Sequence, residues 1–140
     1  MILLDTNVLS ELMRAAPEPR VEQWLGAQPD ASVFISAITE AELRYGAALL
    51  LSGRHRTVLV AEIDGMLEQE FSGRILPFDS LAARAFAIIA AERRQQGKPI
   101  SQADAQIAAI ARSRGASLAT RNAPDFDGCG VEVINPWQVR

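Results

Sequence analysis

At 140 residues the chain has the length of one domain, and its 49% apolar and 22% charged content is ordinary for a globular core. A single cysteine, a single histidine and a formal charge of −3 exclude a disulfide framework, a thiolate metal cage, a two-histidine site and strong nonspecific adhesion to nucleic acid. No apolar run approaches the ~18 residues of a membrane span, and the start Met1-Ile2-Leu3-Leu4-Asp5 lacks the basic region of a signal peptide, so a cytoplasmic protein without membrane contact is expected.

Ile2-Leu3-Leu4 reads as a short buried strand ending at Asp5, followed by a helix from Thr6 to Met13. Pro17 and Pro19 open a second helix with Val21, Trp24 and Leu25 at helical spacing. Val33-Phe34-Ile35 is the next strand, and a helix from about Thr39 carries Leu43, Ala47 and Leu50 on one face. Gly53 breaks it. A long helix with Leu59, Ile63, Met66 and Leu67 follows, ended by Gly73, and Ile75-Leu76 begins a third strand. Ser80 to Gln96 and Ser101 to Arg114 are alanine-rich helices, stopped by Gly97 with Pro99 and by Gly115. Ser117-Leu118-Ala119 and Val131-Glu132-Val133-Ile134 complete the strands. His55 falls in a polar, solvated helix end, and Cys129 in a turn between Gly128 and Gly130.

Strands alternating with helices predict a single α/β domain: a mostly parallel sheet of about five strands with helices on both faces. Ligands of such sheets bind outside the carboxyl ends of the strands, where Asp5 and Thr120 both fall. Glu42, Asp104 and Asn122 also sit where an apolar run gives way to a helix start. Each acid has a purely structural explanation. Asp5 suits an N-cap, while Thr39-Glu40-Ala41-Glu42 and Ser101-Gln102-Ala103-Asp104 fit the capping box. Capping does not explain why three such starts face one crevice. Gathered there, three carboxylates repel one another unless a cation neutralises them; a divalent metal is the natural candidate, and an all-oxygen donor set suggests phosphate chemistry. Asp79 reads as the cap of the Ser80 helix, and Glu11 as support for the site from behind Asp5.

The stretches Leu3-Leu4-Asp5-Thr6-Asn7-Val8-Leu9-Ser10-Glu11 and Ile35-Ser36-Ala37-Ile38-Thr39-Glu40-Ala41-Glu42-Leu43-Arg44-Tyr45-Gly46 resemble the PIN-domain ribonucleases, more narrowly the VapC and FitB toxins of bacterial toxin–antitoxin pairs. Ile75-Leu76-Pro77-Phe78-Asp79, Ala103-Asp104-Ala105-Gln106-Ile107-Ala108-Ala109, Ala119-Thr120-Arg121-Asn122 and Val133-Ile134-Asn135-Pro136-Trp137 extend the likeness over essentially the whole chain. The last of these is a signature of the FitB type rather than chemistry. The resemblance implies that Asp5, Glu42 and Asp104 bind Mg²⁺ or Mn²⁺ and that Thr120, with Thr6, supports them by hydrogen bonding. A fourth acid is usual where this chain has Asn122. The amide oxygen can still ligate the metal or hold a metal-bound water, and Asp125 either supplies the missing charge or only caps the short Asp125-Phe126 turn.

The expected function is therefore a divalent-metal-dependent endoribonuclease, the toxin of a type II pair, whose water attack leaves 5′-phosphate and 3′-hydroxyl ends. Arg44 and Arg121, next to the site in sequence, are candidates for phosphate contact, with surface ion pairing as the alternative. The resemblance further implies a homodimer, a cognate antitoxin of the VapB or FitA type, and operator DNA bound only through that antitoxin. The helices between Leu43 and Leu67 offer an apolar stripe for a partner or for the core. A rival reading is a catalytically silent module of the same fold that binds an antitoxin-type partner, with Asn122 as its first lost ligand. A phosphoacceptor receiver domain is disfavoured, because Lys98 is the only lysine and precedes no suitable strand.

Overall fold

The computed structural model describes residues 1–139. Strand β1 (Ile2–Leu4) leads into α1 (Thr6–Leu12) and α2 (Pro19–Gly26). After β2 (Val33–Ser36) come α3 (Ala37–Ala48) and α4 (Arg54–Gly65), then β3 (Ile75–Leu76). Helices α5 (Ser80–Gln95) and α6 (Gln102–Arg114) precede β4 (Ser117–Ala119), and β5 (Val133–Ile134) closes the sheet. All strand pairs are parallel, in the order β3-β2-β1-β4-β5.

Successive residues of a strand point to opposite faces, so an unbroken apolar run buries both sides. Leu3 faces one core, with Ile89 of α5, Ile107 and Ile110 of α6, and Leu118. Leu4 faces the other, with Val8 and Leu9 of α1, Val21 of α2, Ile35 of β2 and Ile63 of α4. The three-residue β1 is thus the centre of a helix–sheet–helix sandwich. None of the helices described is long and apolar enough to cross a membrane.

Strand order determines where a ligand fits. The chain leaves β1 toward β2 on one side, while β4 enters on the other, so a crevice opens at their carboxyl ends. The Asp5 N–H donates to the Ala119 carbonyl at 2.9 Å, which locks the residue after β1 beside the residue before Thr120.

Three local features depart from the sequence reading. Helix α3 starts at Ala37, two residues before Thr39, because Ser36 is its cap: the Ser36 Oγ accepts the Thr39 N–H at 3.0 Å. The end of the helix after Gly53 loosens into a π-helical turn over Met66–Glu70, which apolar periodicity does not distinguish from continued α-helix. Strand β5 spans only Val133–Ile134, since it pairs with just Leu118 and Ala119 at the sheet edge.

Candidate active site

Asp5 sits at the hinge between β1 and α1 and is 5% exposed. Its Oδ1 accepts the Thr6 N–H at 2.8 Å, the N-cap bond anticipated from sequence. Its Oδ2 accepts from the Thr120 hydroxyl at 2.8 Å and, at 3.3 Å, from the Asn7 amide. Burial raises the Asp5 carboxyl above its ordinary range; the Thr120 and Thr6 hydrogen bonds oppose that rise, and the nearby charges of Asp104 and Glu42 add to it. A buried carboxylate repelled by two others is a group that a cation would stabilise.

Glu42 reaches the same place from the second turn of α3. The capping-box alternative does not hold for it, because Ser36 occupies the Thr39 N–H. Instead Glu42 Oε1 accepts from the Thr6 hydroxyl at 2.8 Å, and Thr6 Oγ1 also lies 3.0 Å from Thr39 Oγ1. Asp104 is in the first turn of α6, where its backbone N–H donates to the Ser101 cap at 3.2 Å. Its carboxylate accepts no side-chain or backbone hydrogen bond among the described residues, so it is left facing the cleft.

Asp5, Glu42, Asp104 and Asn122 all line one open cleft of about 530 Å³. They share a cleft rather than a cage: among the described residues, no three His, Cys, Asp or Glu side chains stand close enough to hold a cation together. Tethering accounts for this, since Thr6 holds Glu42 while Thr120 and the Thr6 N–H hold Asp5. Mg²⁺ does not need three carboxylates, as it commonly keeps several waters and takes one or two carboxylates plus substrate phosphates. The all-oxygen donors present fit that demand.

Asn122 lines the cleft, and its N–H donates to Thr120 Oγ1 at 3.1 Å. Asp125 does not line it. This residue is exposed on a 3₁₀ turn (Ala123–Phe126), and its N–H donates to the Asn122 carbonyl. Arg93 fastens that turn from beneath. Its buried guanidinium donates to the carbonyls of Lys98, Asp125 and Asp127 at 2.8, 2.7 and 3.1 Å, beside the buried Cys129.

The two arginines proposed for phosphate contact part company. Arg44 pairs with Glu40 and Asp64, each at 2.8 Å, and lies outside the cleft. Arg121 lines the cleft. Glu11 is buried at the cleft wall, where it holds Arg14 at 3.0 Å and accepts the Glu18 N–H. Asp79 caps α5 through the Ala82 N–H and pairs with Arg114, away from the site.

Two residues of the cleft carry roles the sequence reading did not assign. Asn7 donates to both Asp5 Oδ2 and Thr120 Oγ1 and accepts the Arg121 N–H, so one amide ties three site residues together. Its position two residues after Asp5, at the start of a helix, was the available signal. Trp137 lies in the cleft wall although it is at the opposite end of the sequence from Asp5. Local pattern carries no trace of that contact.

Comparison with known proteins shows the family. The PIN domain family matches residues 2–127. The chain is 43% identical to the VapC ribonuclease Y4jK of Sinorhizobium fredii over 138 residues, 99% of each chain. It is 45% identical to toxin FitB of Neisseria gonorrhoeae over 137 residues, 98% of this chain and 99% of that protein. The structure of FitAB bound to the IR36 DNA fragment superposes with a TM-score of 0.93 at 44% identity, covering 100% of this chain and 98% of the matched one. The chain therefore belongs to the PIN-domain family, in the company of VapC ribonucleases and the FitB toxin.

Proposed function

We propose that this protein is a divalent-metal-dependent endoribonuclease and the toxin of a type II toxin–antitoxin pair. The observation that carries the reading is the placement of Asp5, Glu42 and Asp104 in one cleft at the carboxyl ends of β1 and β4. The relatives named VapC ribonuclease and toxin FitB support it.

Asp5 and Asp104 would hold the cation, Mg²⁺ or Mn²⁺, and Glu42 would join them directly or through water. When bound, the metal polarises phosphoryl oxygens and acidifies water, which allows hydrolysis in a site without histidine. The protein's own groups do the positioning. Thr120 and the Thr6 N–H favour the ionised form of Asp5 against its burial. Glu42 keeps Oε2 free of hydrogen bonds among the described residues while Oε1 is held, so it is suited to orient an attacking water and receive its proton. Water attack on the phosphorus, with the 3′-oxygen leaving, yields 5′-phosphate and 3′-hydroxyl ends. An open cleft suits single-stranded or looped RNA, whose nucleotides can be splayed toward a recessed site.

As a cytoplasmic toxin, the protein pairs with an antitoxin of the VapB or FitA type and reaches operator DNA only through it, in keeping with the FitAB–DNA structure. The helices between Leu43 and Leu67 divide their apolar residues. Ala47, Ile63 and Leu67 enter the core, while Tyr45, Leu49, Leu51 and Val58 remain exposed and suit a homodimer contact.

The test is RNA cleavage by antitoxin-free protein with Mg²⁺, Mn²⁺ or chelator. Metal-dependent product with 5′-phosphate ends is expected. Absence of cleavage with either metal, in protein that still binds its partner, replaces this reading with the silent interaction module.

A further inference from the structure

Beside the acids, the same cleft holds a feature of different chemistry. The Arg121 guanidinium carbon sits 5.1 Å from the centroid of the Trp137 ring, and both residues line the cleft with Asp5 and Asp104. Arg121 is exposed and has no carboxylate partner among the described residues, although acids surround it. Its backbone is nonetheless fixed. The Arg121 N–H donates to Asn7 Oδ1 at 3.2 Å, and the Arg121 carbonyl accepts from Asn135 Nδ2 at 3.3 Å. Asn135 Oδ1 in turn accepts the Trp137 N–H at 3.0 Å, so a single amide ties the backbones of both partners. The Trp137 carbonyl accepts from Arg20 at 3.0 Å, and half-buried Trp137 packs against the core cluster that contains Leu4 and Val8.

From this arrangement we infer that Arg121 and Trp137 form a nucleobase-stacking platform, which seats one base of a single-stranded RNA beside the acidic centre. The inference rests on the ribonuclease reading and deepens it. Bases stack on aromatic rings and on guanidinium planes, and a cation over a ring adds its own attraction. An arginine committed to an acid would be spent as a surface ion pair, as Arg44 is. Arg121 instead keeps its charge for phosphate and its flat face for a base. A rigid platform also lowers the ordering cost of binding. Because every base has a π face, the platform confers position on the strand rather than strong sequence choice.

The chain has two tryptophans, so Trp24→Phe leaves Trp137 as the sole indole reporter. In a Trp24→Phe/Asp104→Asn background that binds without cutting, a single-stranded oligoribonucleotide of roughly eight nucleotides is titrated while Trp137 emission is followed. Saturable quenching is expected. An abasic oligonucleotide of equal length and charge is expected to bind without quenching. In the cleaving protein, Trp137→Ala is expected to raise KM about 5- to 150-fold, the range for loss of one stacked base, with a smaller change in kcat. Trp137→Phe, which keeps a ring and guards against a folding defect, recovers most of that loss. If wild-type protein cleaves RNA but Trp137 emission ignores it, or if the abasic strand quenches equally, the platform is refuted while the nuclease reading stands. Quenching by an arginine-rich peptide alone, with none by RNA, likewise overturns it and assigns the surface to a protein partner. If wild-type protein neither cuts nor binds RNA, the nuclease reading itself fails.

Discussion

Replacing Thr120 with valine removes one hydroxyl from the centre of the site at almost constant volume. The hydroxyl is fully buried and donates to Asp5 Oδ2 at 2.8 Å, while accepting from the Asn122 N–H and the Asn7 amide. Asn122 is exposed and Asn7 half-buried, so their donors turn to water at little cost. Asp5 is buried and cannot. Losing a hydrogen bond to a charged acceptor costs about 1.5–3 kcal/mol, against about 0.5–1.5 kcal/mol for a neutral one. The loss should therefore depend on pH. Asp5 has a folded-state pKa above its unfolded value, so protonation of the folded form sets in as pH falls through that raised value. Above it, Thr120→Val destabilises by about 2 kcal/mol; below it, the difference shrinks to about 1 kcal/mol or less. Urea denaturation with chelator present, repeated at pH values on both sides of that transition, measures both figures. Thr120→Ser should behave as wild type. An equal loss at both pH values, or a serine variant as unstable as the valine one, would show that Thr120 serves packing and not the Asp5 charge.

The same shift makes stability and activity respond to pH in opposite directions. Metal-free protein gains stability from Asp5 as pH falls through the raised value, whereas metal binding and cleavage, which need the carboxylate, are lost over that range. Parallel thermal melts and rate profiles check both signs. Asp5→Asn and Asp104→Asn should each abolish cleavage with circular dichroism unchanged; retained activity in both would remove the metal-site argument. Asn122→Asp, in the cleft wall, should tighten Mn²⁺ binding by about tenfold (~1.4 kcal/mol) while lowering the melting temperature of metal-free protein, as a further negative charge joins Asp5, Glu42 and Asp104. Calorimetry showing no gain would place Asn122 outside the coordination sphere. Arg93→Met removes the guanidinium that donates to the Lys98, Asp125 and Asp127 carbonyls, and should destabilise by about 3 kcal/mol in denaturant titration.

Much of this molecule is legible in one dimension because its signals are local. The apolar run Ile2-Leu3-Leu4 is too short for a helix and buried on both faces, so it can only be an interior parallel strand. Gly115 stops α6 because the chain there adopts φ 64°, which glycine takes without steric cost. Asp5 and Asp104 could be placed at helix starts from their neighbours alone, and strand ends in an α/β sheet lead to one crevice.

Tertiary structure decided what depends on contacts between distant segments. It made Ser36 the cap of α3, which released Glu42 to the Thr6 hydroxyl, and it committed Arg44 to Glu40 and Asp64 while leaving Arg121 open. It set Asp125 on a turn pinned by Arg93, away from the cleft where Asn122 lies. It also brought Trp137 into the cleft that Asp5 lines. Residue order dictates backbone preference and burial pattern, which act over a turn or two. Which side chains share a pocket follows from strand order and packing, and those emerge only once both faces of the sheet are covered.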